Sequence, residues 1–249
     1  WYLNDAGFKE DQISPYQVGY SPSVDVLTKF LYAKVDNISD GEIRLLELAR
    51  SDLWNHALVY PIHDYHGDVA RYYCKPLSGE ASGKYMSTSN AHPLYTKSLL
   101  YGWHVARRHL RNAGGKIVVV EGQKACIASG GATVATMGTE LHTEQAEILR
   151  AAKVSKVTIC WDADTAGFDA SLRLLDKVSD YRGLALRVAK LPLDTQVDSL
   201  VKGQGREIYQ KCIESATTPI EFWVTSQFDV ANLDIQAKLE MLNRLKFYF

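Results

Sequence analysis

The sequence predicts an α/β protein, α+β overall, with a central and mostly parallel sheet in its second half. Two observations carry this. From Lys116 onward, short apolar runs alternate with helical stretches, and upstream of Lys116 the chain is irregular, basic and rich in turn residues. Alternation of that kind is the mark of βαβ units, because parallel strands need a crossover connection.

In order along the chain, short helices are expected around Trp1–Phe8 and Val24–Ala33. "SDGEIRLLELAR" supplies a third, capped by Ser39 or Asp40, with Ile43, Leu45, Leu46 and Leu48 as apolar contacts. "ALVYPIHDYHGDVARYYCKPL" reads as a hairpin around Asp64-Tyr65-His66-Gly67. A Ser/Gly-rich loop follows, and then "SLLYGWHVARRHLRNAGG" reads as a helix stopped by a Gly pair. Downstream, "KIVVVEG", "TVATMGT", "KVTICWDAD" and "LALRVAKL" are strands. "QKACIASGG", "TEQAEILRAA" and "AGFDASLRLLDKV" are the helices between them, and the tail from Pro219 is helical. The expected division is 1–115, 116–215 and a helical segment 216–249. The chain starts at Trp1 rather than methionine and ends abruptly, so a fragment of a longer protein is expected.

Hydrophobic residues make up 46% of the 249 positions and no apolar run reaches membrane-spanning length, so no membrane segment or signal peptide is expected. The four cysteines, Cys74, Cys126, Cys160 and Cys212, lack zinc-ligand spacing and read as core thiols of a cytoplasmic protein. Net charge is only −1, but it is unevenly spread. Between Val69 and Lys116 there are eight Lys or Arg and one acid; between Ile117 and Ala170 there are seven acids and four bases. That distribution suits a protein holding a polyanion beside metal ions. Two oppositely charged solvated faces would look the same.

Ligands of parallel α/β sheets gather at the carboxyl ends of the strands. Glu121 follows "IVVV", and Asp162 and Asp164 follow "TICW". If those strands are neighbours, three carboxylates converge, with the two aspartates on one face of an extended backbone. Hard carboxylate oxygens suit magnesium, which takes one or two of them and keeps most of its waters. The other reading makes Asp164 or Thr165 the cap of the helix beginning near Ala166. Upstream, Lys84-Tyr85 lies on the polar loop, Lys97 precedes the predicted helix, and Arg107, Arg108 and Arg111 lie along it. Lysines attract phosphates without reading sequence, and Tyr85 or Trp103 offers a base-stacking surface. A core Trp103 and a solvated arginine face are the alternatives.

"VVVEG" followed by "CWDADTAG" resembles the Toprim domain of bacterial-type primases, topoisomerases and some nucleases. "YLNDAGFKEDQISPYQVGYSPS", "YPIHDYHGDVARYYCKPLSG" and "KYMSTSNAHPLYTKSLLYG" resemble the basic N-terminal subdomain of the DnaG-type primase catalytic core, and "GTELHTEQAEIL" its linker. The resemblance implies a basic subdomain over 1–115 and a Toprim metal-binding domain over 116–215. It implies a DNA-dependent RNA polymerase making primers de novo on single-stranded DNA from ribonucleoside triphosphates, with magnesium or manganese ions and a replicative helicase in cis or in trans. The setting it implies is the cytoplasm of a bacterial cell or phage-infected host. Glu121, Asp162 and Asp164 take the catalytic positions and also hold metal, joined by Asp198. Lys75, Lys84, Tyr85 and Lys97 fall on nucleotide- and template-groove positions, with Arg71 and Arg107 assigned alongside. Three departures mark a divergent, phage or mobile-element type. Ala125 and Gln196 stand where acids are usual, and Asn55 and Ala57 where arginines are. A Toprim nuclease and a catalytically weak single-strand-binding module are the alternatives.

Overall fold

The computed structural model describes residues 7–78, 85–88, 97–174, 176–203, 205–228 and 234–246. The helix expected around Trp1–Phe8 falls largely outside them.

The first part is built on an antiparallel sheet in the order β1-β2-β3-β4: β1 (Gly19–Ser21), β2 (Ala57–His63), β3 (Val69–Pro76) and β4 (Met86–Ser87). Four helices accompany it: α1 (Glu10–Ile13), α2 (Val24–Lys34), α3 (Asp40–Leu45) and α4 (Ser51–Trp54). Helix α3 carries the expected Ser39 cap as a full capping box with Glu42. Its apolar face is narrower than expected. Ile43 is buried, but Leu45 is 61% exposed. In a six-residue helix two positions further on is about 200° round the axis, so both cannot face inward.

The β2–β3 hairpin forms as expected. Asp64 Oδ1 accepts the backbone N–H groups of His66, Gly67 and Asp68 at 2.8, 2.9 and 3.0 Å. Gly67 takes φ +104°, a conformation side chains disfavour.

The second sheet is parallel throughout, in the order β6-β5-β7-β8: β5 (Lys116–Val120), β6 (Thr133–Ala135), β7 (Lys156–Cys160) and β8 (Ala185–Val188). Helices α5 (Trp103–His109), α6 (Gln123–Ser129), α7 (Thr143–Ala151) and α8 (Thr165–Arg173) precede or connect these strands. Beyond β8 come α9 (Val197–Gly203), α10 (Arg206–Glu214), α11 (Pro219–Gln227) and α12 (Ile235–Leu245).

Helix α5 is shorter than its periodicity suggests. Tyr101 instead pairs with Ala135 of β6 through two backbone hydrogen bonds of 2.9 Å, so residues before Gly102 run extended. Gly102 makes the turn at φ +79°, and a Cβ there would lie 2.6 Å from Cys126 Sγ. Pairing with a sheet edge has overridden helix propensity.

One core cluster joins the two sheets. Tyr60 and Ile62 of β2 share it with Tyr101, Val120 of β5, Cys160 of β7 and Cys126 and Ile127 of α6. The opposite face of the parallel sheet, Ile117, Val119, Val157 and Ile159, packs against Trp103, Leu149 and Ala170. All four cysteines are free thiols; Cys74, Cys126 and Cys160 are buried and Cys212 is half-buried.

At the junction of the sheets, His63 of β2 and His104 of α5 stack with ring centroids 3.7 Å apart. His104 Nε2 lies 2.9 Å from the Pro15 carbonyl oxygen, and His63 Nε2 3.3 Å from Gln17 Oε1. Burial, and then the neighbouring His63, lowers the His104 pKa from 6.5 to about 4. Burial also lowers that of His63, with Arg107 and Arg108 acting in the same direction and Asp64 and Asp68 opposing. A folded pKa below the unfolded value means the unfolded chain binds more protons between about pH 6.5 and 4. Stability therefore falls as pH drops through that window. Urea denaturation at pH 7 and pH 5 should show it, and His104→Gln should flatten the slope; an equal slope in that variant overturns the assignment.

Candidate active site

Between the two sheets lies a cleft of about 360 Å³, at the carboxyl ends of the parallel strands. One wall carries Tyr73 and Lys75 of β3 and Tyr85. The other carries Glu121 after β5, Asp162 after β7, Gln123, Lys124 and Ala125 of α6, and Gln196 and Asp198 at the start of α9.

The register explains the acids. Val120 pairs with Cys160 in the parallel β5–β7 ladder, so Glu121 and Asp162 leave adjacent strands at nearly the same level. Burial raises the Glu121 carboxyl above its usual range, and the charges of Asp162 and Asp164 raise it further. Asp162 is likewise raised by burial, then by Asp198 and Asp164, while a hydrogen bond from the Val197 N–H opposes the shift. That N–H reaches Asp162 Oδ1 at 3.1 Å. Asp198 lies 3.5 Å from Lys202.

The two aspartates do not share one face of an extended strand. Strand β7 stops at Cys160, and Asp164 is the N-cap of α8, accepting the Gly167 N–H at 2.8 Å. Asp164 lines a different hollow, with Phe168, Leu191 and Leu193; Asp162 borders both. The capping reading of Asp164 is thus realised, while its charge still acts on the other two acids.

Among the described residues no three His, Cys, Asp or Glu side chains close into a ligand shell. Glu121, Asp162 and Asp198 instead form an open set of hard oxygens. Their mutual repulsion is what a divalent cation relieves, and an open set with room for water fits magnesium.

The basic residues separate into two groups. Lys75 and Tyr85 reach the cleft, with Lys75 Nζ 5.2 Å from the Tyr85 ring centroid. Arg71, Lys97 and Arg107 do not line it. Arg71 is buried and binds Ser87 and Thr88, tying β4 to β3. Lys97 is exposed in a turn. Arg107 donates to the carbonyl oxygens of Tyr65 and His66 at 3.0 and 2.9 Å, fastening the hairpin turn to α5. Lys84 lies outside the described residues. Trp103 is buried and stacked on Tyr65, so it is a core residue and not a platform for bases. Sequence reasoning missed Tyr73, Gln123 and Lys124. The last two were legible in principle, because they open the helix that directly follows Glu121-Gly122.

Residues 1–107 match the family model of the DNA primase catalytic core, N-terminal domain, and residues 119–201 match the Toprim-like model. The DNA primase of Clostridium acetobutylicum is 27% identical over 241 residues, covering 93% of this chain and 40% of the relative. That of Halalkalibacterium halodurans is 31% identical over 224 residues, covering 84% and 36%. The chain thus spans well under half the length of these relatives. The RNA polymerase domain of Mycobacterium tuberculosis primase DnaG superposes with a TM-score of 0.80 at 24% identity, over 98% of this chain and 85% of that one.

An antiparallel sheet joined to a Toprim-type parallel sheet, with acids along the shared cleft, defines the class as a primase catalytic core. The chain belongs to the DnaG-type primase family.

Gly167 holds the acidic segment in place. A Cβ there would lie 2.1 Å from the Asp162 carbonyl oxygen and 3.2 Å from Trp161 Cβ. Gly167→Ala should therefore cost about 1–3 kcal/mol in urea denaturation, the usual scale of overpacking. Gly138→Ala, at an open position, should change stability by under about 0.5 kcal/mol. Equal stability of Gly167→Ala and wild type would remove this steric role.

Proposed function

We propose that this chain synthesises RNA primers on single-stranded DNA, acting as a DNA-dependent RNA polymerase by metal-assisted nucleotidyl transfer. The observation that carries the reading is the cleft itself: Glu121, Asp162 and Asp198 along one wall, Lys75 and Tyr85 along the other. A cation site facing a cationic, aromatic wall suits a nucleoside triphosphate and a nucleic-acid strand together. A DnaG primase catalytic domain of the same fold has been solved bound to single-stranded DNA, which supports the same template here.

In this reading residues 1–115 hold template and nucleotide, 116–215 carry the acids, and 216–249 form a helical segment. The 3′-hydroxyl oxygen of the growing strand bonds to the α-phosphorus of the incoming nucleotide. The bond from that phosphorus to the bridging oxygen breaks, and pyrophosphate leaves with the electron pair. Glu121, with its raised carboxyl pKa, is suited to take the hydroxyl proton. Glu121, Asp162 and Asp198 would hold one or more magnesium or manganese ions, which polarise the phosphate and offset the charge of the leaving group. Asp164 supports the acids through its charge and by capping α8. A replicative helicase, in cis or in trans, is the partner this activity calls for. No helix among the described residues is long and apolar enough to cross a membrane.

Neutral Ala125 and Gln196 in the cleft favour a second reading, a catalytically weak single-strand-binding module. Labelled ribonucleotides on a mixed-sequence single strand, with and without manganese, separate the two. Short RNA products are expected, and cleavage of the strand without added nucleotides would point to a nuclease. Glu121→Ala and Asp162→Ala should each lower synthesis by about 100-fold or more, the scale of losing one strong transition-state stabiliser. Single-strand binding should stay within about twofold, given that phosphate contacts dominate it. Undiminished synthesis by either variant would sink the assignment.

A further inference from the structure

We infer that Gln123 and Lys124, consecutive in the first turn of α6, form with Lys75 a binding wall for the β- and γ-phosphates of the incoming nucleotide and for the pyrophosphate that leaves. The inference rests on the primer-synthesis reading and adds residues and a ligand group to it.

Three observations lead there. Both residues line the cleft that holds Glu121, Asp162 and Asp198. Gln123 is 3% exposed, and its Nε2 donor is buried without a hydrogen-bond partner among the described residues. A buried amide N–H left unsatisfied is costly, and a ligand oxygen entering the cleft is the acceptor it lacks.

The third observation is how the cleft's charges are divided. Among the described residues neither Glu121 nor Asp162 is within ion-pair distance of any cation, and the ion pair of Asp198 is with Lys202. Lys75 and Lys124 therefore do not neutralise these acids by direct pairing. The acids remain available to a cation, and the two lysines present positive charge to an anion in the same space. A nucleoside triphosphate bound with a divalent ion carries both requirements. Lysine, a compact point charge, is a common partner for terminal phosphates. Lys75 belongs to the antiparallel sheet and Lys124 to the parallel one, so phosphates held by both bridge the two halves of the molecule.

The test is isothermal titration of the whole chain, in magnesium buffer, with ATP, inorganic pyrophosphate and AMP. Lys124→Ala should weaken ATP and pyrophosphate by about tenfold each, the scale of one charge-assisted hydrogen bond, and leave AMP within about twofold. Lys124→Arg should restore most of the loss. In primer synthesis the loss should appear in KM for the nucleotide more than in kcat. Gln123→Leu should weaken ATP in the same direction without lowering the melting temperature, since it replaces an unsatisfied amide by apolar groups of similar size. Unchanged ATP and pyrophosphate affinity in Lys124→Ala overturns the inference. So does tighter manganese binding with unchanged pyrophosphate affinity, because Lys124 would then serve only to offset the acids. An absence of primers from the wild-type chain counts against the primase reading alone, while the pyrophosphate titration still decides on Lys124.

Discussion

Parallel pairing of β5 with β7 is the constraint on which the site depends. With Val120 opposite Cys160, Glu121 and Asp162 must emerge side by side from a sheet whose strands are almost entirely buried. Two carboxylates so placed lose hydration and repel each other, and both are raised accordingly. The surroundings offset this only in part, through the Val197 N–H on Asp162. Residual unfavourable charge at a solvent-connected edge is what gives a cation or a proton reason to bind there.

The neighbouring segments serve that arrangement. Ala163 exchanges backbone hydrogen bonds with Thr195 and Asp194, which brings the start of α9, and with it Asp198, toward Asp162. Gly167 lets the first turn of α8 lie against the Asp162 backbone, and Asp164 closes that turn. The shared core of Tyr60, Ile62, Tyr101 and Cys126 brings Lys75 and Tyr85 opposite the acids. Substrate-sized space between an acidic and a basic wall therefore follows from how the two sheets pack.

Much of this was legible in residue order. Apolar runs of five residues ending in Glu121-Gly122 and in Trp161-Asp162 marked buried strands with acids at their ends, and the Asp64–Gly67 turn marked the hairpin. Those signals are local, because strand burial and turn geometry are set by neighbouring residues. The failures had a different origin. Ser98 to Tyr101 carry helical periodicity, yet Tyr101 pairs with β6, a partner more than thirty residues away. Arg71 and Arg107 carry charge suited to nucleic acid, yet both are spent on backbone and hydroxyl acceptors that the sequence does not place beside them.

The sequence by itself determined the α/β class, the acidic strand ends and the basic region ahead of them, since composition and periodicity along the chain encode these directly. Tertiary structure decided which charges meet. It separated Asp164 from Asp162 into different hollows, withdrew Trp103 into the core, and set Lys124 and Lys75 in one cleft from positions 49 residues apart. The physical reason is that charge and stacking act through space, over distances that only the packing of the two sheets defines.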